Sequence, residues 1–171
     1  LTGSSTMTGD TQFASTLTGG SNALTVTGNL DLDGAATGLT STSVSGTSNL
    51  GASVTTSSTQ TYSGAVTLSA HTVLTTTNSD ISFSTIDSDS TDRNLSLATG
   101  SGNISVTGAI GSSNNINVLT VNNTGTFTTS SSVDTTTMTL THTGGTTIGG
   151  TLTATTINLT DTMDATDITF N

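Results

Sequence analysis

The stretch INVLTVNNTGTFTTSSSVDTTTMTLTHTGGTTIGGTLTATTINLT, residues 116–160, decides the fold. Within it Leu119, Met138 and Ile157 each open an apolar-x-apolar triplet, and the triplets stand nineteen residues apart. Apolar residues at period two mark a strand with one buried face. Their return at a fixed interval of about twenty residues marks a solenoid, in which each coil buries its apolar face only by stacking on its neighbours.

Outward from this stretch the same pattern continues. Leu95 and Ile116 extend the series upstream with looser spacing, and alternating runs recur at ALTVTGNLDLDG (23–34), GAVTL (64–68), DISFSTI (80–86), NLSLATGSGNISVTGAIG (94–111) and DITFN (167–171). A second set aligns NLGASVT (49–55) with TIGGTLT (147–153), placing Leu50 and Val54 opposite Ile148 and Leu152, with GTFTTSSSV (125–133) as a longer version. A coil of this length holds two or three short strands joined by tight turns. Gly28, Gly46 and Gly64 fall at strand ends, where a left-handed φ costs glycine nothing.

Composition agrees. Only 7% of the 171 residues are charged, every acidic residue is Asp, there is no Glu or Lys, and Arg93 is the one strong base. Most good helix formers are therefore missing, while β-branched residues that suit a pleated surface dominate. Pro is absent, so every residue can donate to a ladder, and about forty large apolar side chains are spread evenly, which argues against disorder. The reading is all-β: one solenoid array over residues 1–171, with about twenty residues per coil.

Several functions are excluded or left without support. A formal charge of −10 with a single Arg cannot replace counterions along nucleic acid, and it disfavours anionic membrane surfaces. Cys is absent, which removes disulfides, thiolate metal sites and a cysteine nucleophile. No apolar run reaches membrane-spanning length, and 3% aromatic residues cannot supply the girdles of an outer-membrane barrel, so membrane insertion is not expected.

Segments 59–86 (TQTYSGAVTLSAHTVLTTTNSDISFSTI) and 93–127 (RNLSLATGSGNISVTGAIGSSNNINVLTVNNTGTF) resemble the repeats of filamentous-haemagglutinin-like bacterial surface proteins, which are similar in style to autotransporter passengers. The likeness spans roughly residues 59–160. It implies a right-handed parallel β-helix, secretion to the cell surface, and service as an adhesin shaft or extracellular fibre. No functional residue carries over.

The densest polar cluster is DSDSTDRN (87–94), with Asp80 and His71 a coil or less upstream. Asp87, Asp89 and Asp92 are the calcium candidates, since alternate carboxylates on one face supply oxygen ligands; a pair of carboxylates is also what a glycosidase of β-helix type uses. The plainer reading is a solvated loop bulging from a coil. Asp31 and Asp33 share a face ahead of Gly34 but lack the remaining ligands of a calcium loop, and read as a turn. Ser, His71, His142 and Asp suggest a triad only because Ser is so common. Four sequons start at Asn94, Asn103, Asn122 and Asn158. The run TTTMTLTHT (135–143) suits the stiff hydroxyl-and-methyl array that ice-binding solenoids use, but the Thr pairs do not recur at one fixed position in every coil, and the plainer reading is outward Thr that favours strands and pairs in ladders.

No capping helix or charged cap is evident at either end, and the chain opens at Leu1 without an initiating Met. The expectation is a fragment of a longer chain or a subunit that stacks end to end. The expected function is structural and non-enzymatic, without a cofactor: an extracellular fibre or adhesin shaft whose partners are further copies and host-surface or matrix glycans. A polysaccharide-binding or polysaccharide-degrading β-helix is the enzyme alternative.

Overall fold

Buried and exposed residues alternate along almost every strand, and the strands wind into a parallel β-solenoid of about eight turns. The computed structural model describes residues 1–141 and 144–159, with the backbone of Ile168–Phe170. No helix occurs among the described residues. His142 lies outside them, as do the flanks of DITFN.

Each turn crosses three walls in order. Wall 1 opens with Ser5–Met7, continues with 24–26 and 42–44, and then with Gln60–Tyr62, Ile81–Phe83, Ile104–Val106, Phe127–Thr129, Thr146–Ile148 and Ile168–Phe170, all parallel. Wall 2 stacks Thr11–Phe13, Leu30–Leu32, Ser48–Leu50, Val66–Leu68 and Ile86–Ser88, extended by bridges from Ile86 to Ile110 and from Ile110 to Val133. Wall 3 begins at Leu17 and includes Val54–Thr56, Thr72–Thr75, Arg93–Gly100 and Ile116–Asn123, ending on 135–140 and 154–159, the later parts of the strands Val133–Leu140 and Leu152–Leu159, whose first two residues close wall 2.

The period is not constant. Successive partners on wall 1 run Leu24, Thr42, Gln60, Ile81, Ile104, Phe127 and Thr146, so a turn takes between 18 and 23 residues. The spacing of nineteen holds for Leu119, Met138 and Ile157, which are direct register partners on wall 3, and Leu95 belongs to the same column. Ile116 does not: it pairs with Arg93 and Thr135. The alignment of NLGASVT with TIGGTLT also fails, because Leu50 sits on wall 2 and Ile148 on wall 1. Both segments turn a corner with the same apolar-and-glycine grammar, so the sequence does not distinguish which corner.

Inward side chains stack like on like. Leu74, Leu97, Val121 and Leu140 form one column on wall 3, and Leu32, Leu50 and Leu68 another on wall 2, all at most 1% exposed. The Tyr62 and Phe83 rings stack at 5.4 Å on wall 1. Burying each such side chain removes apolar area from water, worth roughly 1.5–3 kcal/mol apiece.

Corners are tied along the axis by side chains. Asp10 Oδ1 accepts from the Asn29 amide at 3.0 Å, and Asn29 Oδ1 accepts from the Thr47 amide at 2.8 Å and its hydroxyl at 2.9 Å. The same chain of contacts links Asp80, Asn103 and Thr126 before wall 1. Glycines serve these corners differently from expectation. Gly28, Gly46 and Gly64 do not take a left-handed φ; that conformation falls to Gly9, Gly20, Gly38, Gly100 and Gly111, with Ser21 and Asn78. Gly46 is required for space, since a Cβ there would lie 2.6 Å from both the Gly28 carbonyl carbon and Asn29 Oδ1.

Candidate functional surface

The acidic cluster is built into the coil. Asp89 receives Arg93 through two of the three guanidinium nitrogens, Nε to Oδ1 at 2.9 Å and Nη2 to Oδ2 at 2.6 Å, and Oδ1 also accepts from the Thr91 amide at 2.9 Å. The Arg93 hydrogen bond, helped by that amide, holds the Asp89 carboxyl below its ordinary range. Asp87 Oδ1 accepts from the Ser113 amide at 2.8 Å, which pins the loop 111–115 over the strand end of the preceding turn. Asp92 is exposed in the bulge between Ile86–Ser88 and Arg93–Gly100. Among the described residues no group of three or more His or Asp side chains is arranged to hold a metal ion. The structure therefore does not bring Asp87, Asp89 and Asp92 together as a ligand set.

The other named residues are likewise spoken for. Asp31 and Asp33 do share a face: Gln12 Nε2 donates to Asp31 at 3.0 Å and to Asp33 at 3.2 Å, and Asn49 Nδ2 donates to Asp31 at 2.8 Å. His71 Nδ1 accepts from the Asn94 amide at 2.9 Å. Among the sequon residues, Asn94 Oδ1 accepts from Asn117, while Asn103, Asn122 and Asn158 stand on the exposed surface.

Register reveals a surface that the sequence hides. Outward from wall 1 the central strand position carries Thr6, Thr25, Ser43 and Thr61 in the first four turns, then Ser82, Ser105, Thr128 and Thr147 in the next four. Every one is a hydroxyl residue. Two positions on, past a buried side chain, a second rank runs Thr8, Thr27, Ser45 and Ser63, then Ser84, Thr107 and Ser130, and ends at Gly149. Tying the ranks in place, each second-rank amide from Thr27 onward bonds the coil before it, as Ser63 N–H does to Val44 O at 2.9 Å. Hydroxyl residues thus recur at these two places in successive coils, but as Ser about as often as Thr; a Thr at both places occurs only in the first two turns, at Thr6 with Thr8 and Thr25 with Thr27, so the Thr pairs themselves do not recur in every coil. The run TTTMTLTHT lies elsewhere, with Thr137 and Thr139 on wall 3.

Charge is segregated from this wall. Neither rank contains a charged residue, whereas Asp31, Asp87 and Asp134 lie outward on wall 2, flanked by Asp10, Asp33 and Asp89. A shallow groove bordered by Thr61, Ser63, Ser82, Ser84 and Thr107 runs between the two ranks at mid-length. The comparisons with protein families, with curated proteins and with solved structures give no match to this chain.

Proposed function

We propose that the chain is a structural β-solenoid, a length of extracellular shaft or surface fibre that displays its walls and catalyses nothing. The observation that carries this reading is the unbroken three-wall stack. Nearly every large apolar residue among the described turns faces the axis, most of the described Asp side chains and His71 accept bonds from a neighbouring coil, and Arg93 is held by Asp89 within its own. Such a body gains length with each coil without needing a thicker core.

End-to-end extension fits the same picture. Ile157 and Leu159, in inward columns continuous with Met138 and Leu140, are 47% and 46% exposed, and Leu1, Met7 and Phe13 are partly buried against the other end of the core. A further coil, from flanking sequence or a second copy, would cover either set. Negative-stain electron microscopy tests the proposal. Eight turns at strand spacing give rods about 40 Å long, or multiples of that if copies stack. Compact, isometric particles would overturn it.

A further inference from the structure

We infer that wall 1 is an ice-binding face, whose ligand is the surface of crystalline water. The first observation is that its hydroxyls are unspent. Among the described residues none of the eight first-rank hydroxyls makes a hydrogen bond to another protein group, and in the second rank only Thr27 and Thr107 reach back, weakly, to a carbonyl of the preceding coil at 3.4 and 3.3 Å. Exposed hydroxyls without protein partners bond to water.

The second observation is regularity. From Leu24 to Phe170 the wall 1 pairings carry no register shift, in contrast to wall 3, where shifts interrupt the pairing of Arg93–Gly100 with Ile116–Asn123. Parallel strands place successive first-rank hydroxyls about 4.8 Å apart along the axis, and the second rank follows two residues on, just past each strand end, kept in step from coil to coil by its amide bonds. Each hydroxyl therefore holds its water in the same relation to the next, and the bound layer becomes a two-row lattice rather than a disordered shell. Thr adds a stiff β-branched frame and a methyl group that leaves adjacent water to bond with other water.

The third observation is the missing charge. An ion orients water radially around itself and would break such a lattice. The carboxylate at the margin, Asp80, is turned along the axis to the Asn103 amide. Other occupants fit less well: a glycan would want aromatic platforms, which neither rank contains, and a second copy would dry two rows of hydroxyls with no partners facing them. The inference rests on wall geometry and is independent of the shaft reading.

The test is partition of the purified chain into a slowly grown ice shell, together with thermal hysteresis. The parent protein should enter the ice and depress its growth temperature. Thr25→Lys with Thr128→Lys on wall 1 should abolish both effects, while Thr67→Lys with Thr153→Lys, outward on wall 2, should leave them intact; circular dichroism checks folding. Ser105→Lys alone, exposed within the first rank, serves if the pair fails to fold. Exclusion of the parent from ice overturns the proposal, as does equal loss in the wall 2 pair. So does parent self-association by sedimentation that the wall 1 pair abolishes, since the face would then be a contact between copies. None of these outcomes bears on whether rods form.

Discussion

Tyr62, the chain's one tyrosine, shows how the core handles polar groups. Its ring is 1% exposed and its hydroxyl donates to Gln60 Oε1 at 3.1 Å, while Gln60 Nε2 donates to the Thr75 and Val54 carbonyls at 2.9 and 3.2 Å. Burial pushes the phenol well above its ordinary range. The unfolded chain loses that proton near pH 10, so the native state binds it more tightly; the associated stability is complete below about pH 10 and falls as pH rises beyond it. Alkaline titration followed at the tyrosinate absorbance should show ionisation coinciding with loss of β structure, and Tyr62→Phe should shift the loss of structure to higher pH. Ionisation near pH 10 with the fold intact would contradict the burial. Neither Gln60's burial nor this network was legible in TQTYSG: alternation puts Gln60 on the same face as Tyr62, and only the folded coil shows the carbonyls that let an amide sit there.

Strands and corners differ in how openly the sequence declares them. Leu119, Met138 and Ile157 announce their column because those turns are equal in length, whereas turns of up to 23 residues upstream blur the period. The glycines are legible as corners but not in their role. At Gly46 the requirement is room for the coil above, not an unusual φ, so Gly46→Ala should cost about 1–3 kcal/mol by forcing overpacked backbones apart. Gly3→Ala, with nothing within 4 Å of a Cβ, should change stability little. Urea melts of the two variants make the comparison, and equal midpoints would remove the packing argument. The corner chains through Asn29 and Asn103 were invisible for a similar reason: Asn near a turn is common, and only stacking shows that each caps the next coil.

Over the whole molecule the unit of construction is the turn, and its replaceability can be measured. Deleting residues 119–137 brings Met138 into the register of Leu119 and Thr146 under Ile104, so the shortened chain should fold to a rod one strand spacing shorter, about 4.8 Å. Deleting 119–127, about half a turn, puts inward residues outward and should prevent folding. Circular dichroism with cooperative melting distinguishes the two, and equal behaviour would mean that the turns are not interchangeable. The hydroxyl ranks belong to this scale too. With Ser and Thr on every wall, the composition conceals which hydroxyls share a place, and unequal turns defeat a fixed-period count; Thr25, Ser43 and Thr61 line up only once their strands are paired. The bond between Arg93 and Asp89 carries one further consequence. Proteases that cut after basic residues find a single target in all 171 residues, the peptide joining Arg93 to Asn94. That peptide opens a paired strand, its amide is held by His71 and its guanidinium is already clasped, so digestion by such enzymes must wait for the coil to open.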